Sequence, residues 1–480
     1  MVSVDFQHQL PTTLADDDKP HEECGVFGIY APDEEVARVT FFGLFALQHR
    51  GQESAGIAST DGDRISVRRN LGLVSQAFDE EDIRALPGFA AIGHTRYSTA
   101  GSTLECNAGP MYVETDLGPI AISHNGNLTN ALVLREELEA RGEQFVTTTD
   151  SEVLARLIAL APGATIEERI RASMPRMIGA FSLAVLTRDA VYAVRDQLGV
   201  RPLCLGEMES GKVVASESCA LMTIGASLVR EVEPGEIVRI DANGIESLGI
   251  ERQRLPALCL LELIYFARPD SEMLGERLHM MRQSMGRQLA RESGVDADVV
   301  VGLPDSATPA AIGYARESGI PYTEALIKNR YIGRTFIQPN QKMRQTSVKL
   351  KFNVLPEAVD GKRVVLIDDS IVRGTTSRPI VDLLRQAGAK EVHMRVHAPP
   401  IMWPCYMGVD LARRDELIAA RMTVPQISDH IGADSLDYLS LDGLLSAIGK
   451  GDNRFCAACM TGNYPVETFM AADKLSLERV

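Results

Sequence analysis

Val364-Val365-Leu366-Ile367, four apolar residues in a row, run straight into Asp368 and Asp369. So short and so apolar a run, placed after Gly361 and Lys362, reads as a strand buried on both faces, as in parallel sheets. After the loop Ser370-Ile371-Val372-Arg373-Gly374-Thr375-Thr376-Ser377, Pro379 and the spacing of Ile380, Leu383 and Leu384 predict a helix that stops near Gly388. Residues 391–397 read as the next strand. Such a β-loop-α-β unit places its loop at the carboxyl edge of the sheet, where open α/β folds bind ligands. Gly374 permits close backbone approach, and Thr375, Thr376 and Ser377 put hydroxyls at a helix N-terminus suited to phosphate. Asp368 and Asp369 would repel a phosphate, so they fit sugar hydroxyls, a divalent cation such as Mg2+, or both.

The rest of the chain is long enough for two large domains or three smaller ones: 480 residues, 45% apolar and 24% charged. Its net charge of -16 disfavours nucleic-acid binding, which needs a basic face. No apolar stretch approaches the roughly 20 residues of a membrane span, and residues 1–23 lack the pattern of a secretory signal, so a cytoplasmic protein is expected. Residues 1–23 carry six acids and one Lys and read as a disordered arm or a removable leader. Eight cysteines are too few for a disulfide scaffold and point to metal or catalytic roles.

Between Cys24 and about Pro256, short β-rich runs alternate with helical segments at 34–47, 131–141, 151–160 and 166–177, which predicts a layered α/β domain with mainly antiparallel strands. Three polar clusters lie at the ends of apolar elements: 47–54, 93–99 and 124–127. Singly they have bland readings, Asn125-Gly126 as a hairpin turn, Arg96 as a surface charge and His49 as a helix-end residue. With Cys24 they make one site. Cut before Cys24, the chain would carry a thiol and a free α-amine on one residue; with a pKa of roughly 7.7–8.0 that amine suits a base near neutrality. Asn125 and Gly126 supply oxyanion donors, Arg96 suits a carboxylate and Asp150 an ammonium. A substrate with carboxamide, carboxylate and ammonium is glutamine.

These motifs, in this order over about 130 residues, resemble the N-terminal-nucleophile (Ntn) glutamine amidotransferases. The resemblance implies a four-layer αββα Ntn-hydrolase fold, Cys24 as nucleophile, Asn125 and Gly126 as oxyanion hole, Arg96 and Asp150 as glutamine ligands, and removal of residues 1–23 as a propeptide. The 364–377 motif resembles the phosphoribosylpyrophosphate (PRPP) signature of type I phosphoribosyltransferases, which implies a doubly wound parallel-sheet domain. It also implies PRPP contacts from Asp368, Asp369, Ser370, Arg373, Gly374, Thr375, Thr376 and Ser377, with Ser306 of the strand-to-loop element 300–309 joining Asp368 and Asp369 around Mg2+. The segment 328–351 holds seven Lys or Arg and no acid; a disordered basic loop or nucleic-acid patch is one reading, and a mobile clamp closing over a polyphosphate fits better. Its stretches 328–331 and 333–335 resemble the closing loop of the same family as the two halves together, which implies Lys328 and Arg330 as PRPP ligands.

Together the halves resemble the family that uses glutamine to aminate PRPP at the first committed step of purine synthesis. That implies glutaminase residues 24–256, phosphoribosyltransferase residues 257–470 and a tail at 471–480, with ammonia crossing a dry path between the sites. Oligomers and feedback inhibition by purine nucleotides are further expectations of the family. Rival assignments are weaker: a sugar-phosphate isomerase or asparagine-forming partner domain would lack the 364–377 motif, and a PRPP-sensing regulator would need a basic surface and no Cys24. Cys456-Ala457-Ala458-Cys459, with Cys259 and Cys405, suits zinc or a [4Fe-4S] cluster on chemistry alone. The resemblance favours the cluster, because the iron–sulfur branch of the family carries cysteines in these contexts. Cys106, Cys204 and Cys219 have no motif and read as packing residues.

Overall fold

The computed structural model describes residues 24–97, 101–251, 254–329, 350–411, 413–451, 455–468 and 476–478. The leader expected at 1–23 and nearly all of the basic segment, Arg330 included, lie outside the described residues.

The first half is two antiparallel sheets laid face to face. One has seven strands with Gly25–Tyr30 near its middle, paired to Ala90–Arg96 and Gly211–Ala215; the other has six, with Ile120–Leu128 paired to Gly179–Leu186. Side chains alternate along a strand, so each strand serves two layers. Phe27 and Ile29 pack under the helix Val36–Ala46, whereas Val26 joins Ile92, Ala121, Ala184 and Val214 between the sheets. In the second sheet Phe181, Leu183 and Val185 face the helices Ala131–Ala140 and Asp150–Leu160, and Ala184 and Leu186 face inward. Gly28 lets the sheets approach: a Cβ there would stand 2.9 Å from Val214 and 3.1 Å from Val191. Truncating a buried residue such as Phe27 would cost about 3–5 kcal/mol. This is the expected αββα sandwich.

The second half holds a four-stranded parallel sheet, ordered Val299–Gly302, Arg363–Asp368, Glu391–Val396, Ser435–Tyr438. Helices Leu278–Glu292, Thr308–Ser318 and Leu441–Ile448 pack as one group, Ser377–Gln386 and Val424–Ile431 as another. Val364, Val365, Leu366 and Ile367 are fully buried, as their run predicts, and Ile380, Val381 and Leu384 line the buried side of the following helix.

Two local expectations differ. The segment 166–177 is α-helical only over Ile166–Ser173 and tightens to a 3-10 turn at Met174–Arg176, because Pro175 cannot supply an amide to an α-helix. Residues 124–127 do not end an apolar element or form a hairpin turn; they lie inside the strand Ile120–Leu128, in register with residues 180–183. The last described residues fold back onto the first half: Leu477 is buried against its helices, and the Glu478 carboxylate accepts the Ser102 N–H at 2.7 Å.

Candidate active site

Cys24 precedes the central strand of the first sheet, which pairs Gly25 with Thr95 and so brings Arg96 alongside. The thiol is buried and donates to the Tyr97 carbonyl at 3.5 Å. Burial pushes it up to about 11, opposed by that hydrogen bond and by the Arg96 charge. A thiol so placed is protonated at neutral pH and needs a base before it attacks.

A pocket at this point is lined by Cys24, His94, Arg96, Tyr97, Asn107, Met111, His124, Gly126, Thr149, Asp150 and Ser151. It gathers four of the five residues assigned to glutamine chemistry, and the fifth, Asn125, adjoins it in the chain. Both polar atoms of the Asn125 side chain are buried without a hydrogen-bond partner among the described residues. An unpaired buried amide costs roughly 1–3 kcal/mol, a penalty that a substrate oxyanion accepting from Nδ2 would relieve. Gly126 has φ +149°, and a Cβ there would lie 2.0 Å from the Ala180 carbonyl oxygen, so only glycine fits.

Arg96 is buried rather than a surface charge. It donates to the Ser102 carbonyl at 3.3 Å and lies 3.5 Å from Glu53. Asp150 opens the helix Asp150–Leu160 and accepts the Leu128 N–H at 3.0 Å, which ties it to the strand that carries Asn125. Asn107, unremarked in the sequence, clamps the walls together by donating to Ser102 and Thr148 and accepting from the Thr148 amide. His94 donates to the His124 carbonyl at 2.9 Å, and burial pushes it down to about 3, so it stays neutral.

The second constellation sits at the carboxyl edge of the parallel sheet. Asp368 and Asp369 are buried; Asp369 accepts from the hydroxyls of Ser306 and Ser370, and the Asp369 amide donates to Asp368 at 2.8 Å. The three residues assigned to Mg2+ are therefore neighbours. Gly374 has φ +77° in the loop leading to the helix Ser377–Gln386, which Thr376 caps and Ser377 opens. Arg373 pairs with Glu416 at 3.0 Å and Lys328 with Asp305 at 2.9 Å.

Segment 405–410 of the second half touches the first pocket: Tyr97 donates to Asp410 at 3.2 Å, Asn127 donates to the Tyr406 carbonyl at 3.0 Å, and Gly408 packs against Gly126. The same stretch carries Cys405. Cys259 pairs in register with Cys456, the Cys459 carbonyl accepts the Met402 and Trp403 amides, and all four cysteines are unbridged in one core. Burial and nearby Cys405 raise the thiols of Cys456 and Cys459. Among the described residues, no group of three or more His, Cys, Asp or Glu side chains stands ready to hold a metal ion. Cys204 and Cys219 pack in the core under the first sheet, and Cys106 is half-buried.

A thiol pocket on an αββα sandwich and a carboxylate shelf on a parallel sheet define a glutamine amidotransferase joined to a phosphoribosyltransferase. The family models agree: a glutamine amidotransferase domain matches residues 94–223 and a phosphoribosyl transferase domain residues 285–398. The chain is 51% identical over 471 residues to the amidophosphoribosyltransferase of Synechococcus elongatus, covering 96% of each. With that of Archaeoglobus fulgidus it shares 51% over 451 residues, covering 92% of this chain and 98% of the relative. The chain belongs to the amidophosphoribosyltransferase family. A solved structure of the allosteric regulatory enzyme of purine biosynthesis superposes with a TM-score of 0.89 at 45% identity, covering 95% of this chain and 99% of that one. The glutamine PRPP amidotransferase from B. subtilis, solved with ADP and GMP, gives 0.87 at 46% identity, covering 93% and 98%.

Proposed function

We propose that this chain takes ammonia from glutamine at Cys24 and transfers it to PRPP at the Asp368–Asp369 shelf, forming 5-phosphoribosylamine, glutamate and pyrophosphate. The observation that carries the reading is the company of Cys24: a buried thiol beside Arg96, Asp150 and Gly126, with the unpaired Asn125 amide next to them.

Arg96 takes the carboxylate of glutamine and Asp150 its ammonium, which presents the carboxamide to Sγ. Attack forms the C–S bond while the carbonyl oxygen draws on Asn125 Nδ2 and the Gly126 amide. The C–N bond then breaks, ammonia leaves with the thiol proton, and water hydrolyses the thioester to glutamate. Removal of residues 1–23 would free the α-amine of Cys24 as the base this buried thiol needs. At the second site the hydroxyls and amides of 374–377 hold the 5-phosphate of PRPP, and Asp368 and Asp369 hold the ribose hydroxyls. Arg373, Ser370, Thr375 and Lys328 complete the PRPP contacts. Ammonia displaces pyrophosphate at the anomeric carbon. Asp368, Asp369 and Ser306 are oxygen donors that suit Mg2+, which supplies charge neutralisation for the departing pyrophosphate.

We assign Cys259, Cys405, Cys456 and Cys459 to a [4Fe-4S] cluster on their sequence contexts and their place as unbridged cysteines of the same core; cluster binding would have to draw the four thiols together, since no ready metal-holding group stands among the described residues. Arg201 opposes the charge of Cys456 and Cys459 and would offset that of thiolate ligands. The domains divide as 24–256, 257–470 and the tail 471–480. The protein works in the cytoplasm as a homo-oligomer under purine nucleotide control; among the described residues no helix is long and apolar enough to cross a membrane.

With both substrates and Mg2+, purified protein should release glutamate and pyrophosphate in equal amounts. Glutamate without pyrophosphate would overturn the proposal. The same sample, prepared anaerobically, should give an intact mass beginning at Cys24 and about four irons per chain; a zinc protein would remove the cluster assignment.

A further inference from the structure

Arg50 is almost fully buried between the two halves, and its Nε donates to the Cys24 carbonyl at 3.2 Å. Its guanidinium is held by two carboxylates, Glu217 Oε1 at 2.6 Å from Nη1 and Glu262 Oε1 at 2.6 Å from Nη2, with a further Nη1 contact to Glu262 at 3.0 Å. Glu217 belongs to the first half and also accepts from His49, Ser271 and the Arg268 amide, so burial is outweighed and its carboxyl stays well below the usual range. Glu262 is fully buried and comes from the phosphoribosyltransferase half, on the π-helical turn Glu262–Phe266 three residues after Cys259. Turns of this kind are rare and occur often at functional sites.

The turn is fixed from behind. Arg282 donates to the carbonyls of Leu263 at 2.8 Å and Ala267 at 2.7 Å, and Arg201, 3.7 Å from Glu262, donates to the Met407 carbonyl at 3.0 Å. A buried ion pair gains little net stability over apolar packing, so three buried arginines and two buried glutamates are better explained by the geometry they impose. That geometry ends at the nucleophile: Cys24 lies just before its strand, whose register begins at Gly25, so strand pairing alone does not fix its carbonyl.

We propose that Glu262 is a positioning residue for Cys24, acting through Arg50, so that the glutaminase site is completed by a side chain of the other half. Arg50 grips the backbone of the nucleophile, Glu262 and Glu217 set the angle of Arg50, and Sγ is thereby held against the Asn125–Gly126 donors. The proposal rests on Cys24 as nucleophile.

The test is Glu262→Gln in the full-length protein, read by glutamine-dependent and ammonia-dependent pyrophosphate release and by alkylation of Cys24 with iodoacetamide. Since a displacement of about 1 Å can cost up to about 100-fold, glutamine-dependent kcat should fall by about tenfold or more. The KM for glutamine should move less than about twofold, because Arg96 and Asp150 lie outside the network, and ammonia-dependent release should stay within about twofold. An unchanged glutamine-dependent kcat, or a parallel fall of both activities as for a merely structural contact, would overturn the proposal. Arg50→Lys keeps the charge and removes the Nε donor; it should give the same split even if the Glu262 variant does not fold, and wild-type kcat in Arg50→Lys would equally overturn it. If the unmutated protein released no pyrophosphate with glutamine, the reading of function would fail instead.

Discussion

The two sites are built in opposite ways. The glutamine pocket is assembled on paired strands: Arg96 ends one strand, Asn125 and Gly126 lie within another, and Asp150 is tied to the latter by the Leu128 amide. The PRPP shelf is assembled from loop residues at strand ends, its carboxylates turned onto neighbouring hydroxyls. The first site is therefore set by sheet register before a substrate arrives, whereas on the proposed reading the second would exchange internal hydrogen bonds for substrate ones. The difference suits their tasks, since thioester formation needs fixed donors around a thiol, and a charged polyphosphate must be admitted and released.

The difference has consequences for single substitutions. Asp368→Asn should lower pyrophosphate release with glutamine and with ammonia alike, by about 1000-fold if a metal contact worth several kcal/mol is lost. Asn125→Ala should cost about 100- to 1000-fold with glutamine, the usual effect of removing one oxyanion donor, and nothing measurable with ammonia. A drop in ammonia-dependent release for Asn125→Ala would mean that the sites are not separable. Two glycines compare the scaffolds themselves. A Cβ on Gly126 meets the backbone oxygen of Ala180 at 2.0 Å, one on Gly374 the Ile418 side chain tip at 2.7 Å. Gly374→Ala should cost about 1–3 kcal/mol and Gly126→Ala more, because a side chain yields where a paired strand does not; denaturant midpoints decide the order.

Stability should also respond to acid through the glutamine pocket. His94 is held neutral by burial, down to about 3 against its ordinary 6.5. Below pH 6.5 the unfolded chain binds a proton that the folded chain refuses, so stability is lost as pH falls toward 3. From pH 7 to pH 5 this amounts to about 2 kcal/mol. His94→Asn should lose that part of the pH dependence, measured by chemical denaturation at the two pH values.

What could be read in the sequence was local chemistry with a short spacing. The run 364–367 announces a buried strand, and the 93–99 and 124–127 clusters announce polar groups that the fold brings to the Cys24 pocket, because the chemistry and the element lie within a few residues. The interior position of Asn125 and Gly126 was not legible: polar residues in a strand look like its end until the facing sheet is known. Nor was the Arg50–Glu217–Glu262 network, whose members stand 167 and 212 residues from Arg50 and meet only when the halves dock. Asn107 escaped notice likewise, since it acts by joining loops at 102 and 148.

One measurement bears on the whole reading. Cys24→Ser, assayed with PRPP and Mg2+ against glutamine and then against ammonia, should release no pyrophosphate with glutamine and keep wild-type release with ammonia. Loss of both activities, or glutamine-dependent release that survives the substitution, would contradict a chain in which one half makes ammonia and the other consumes it.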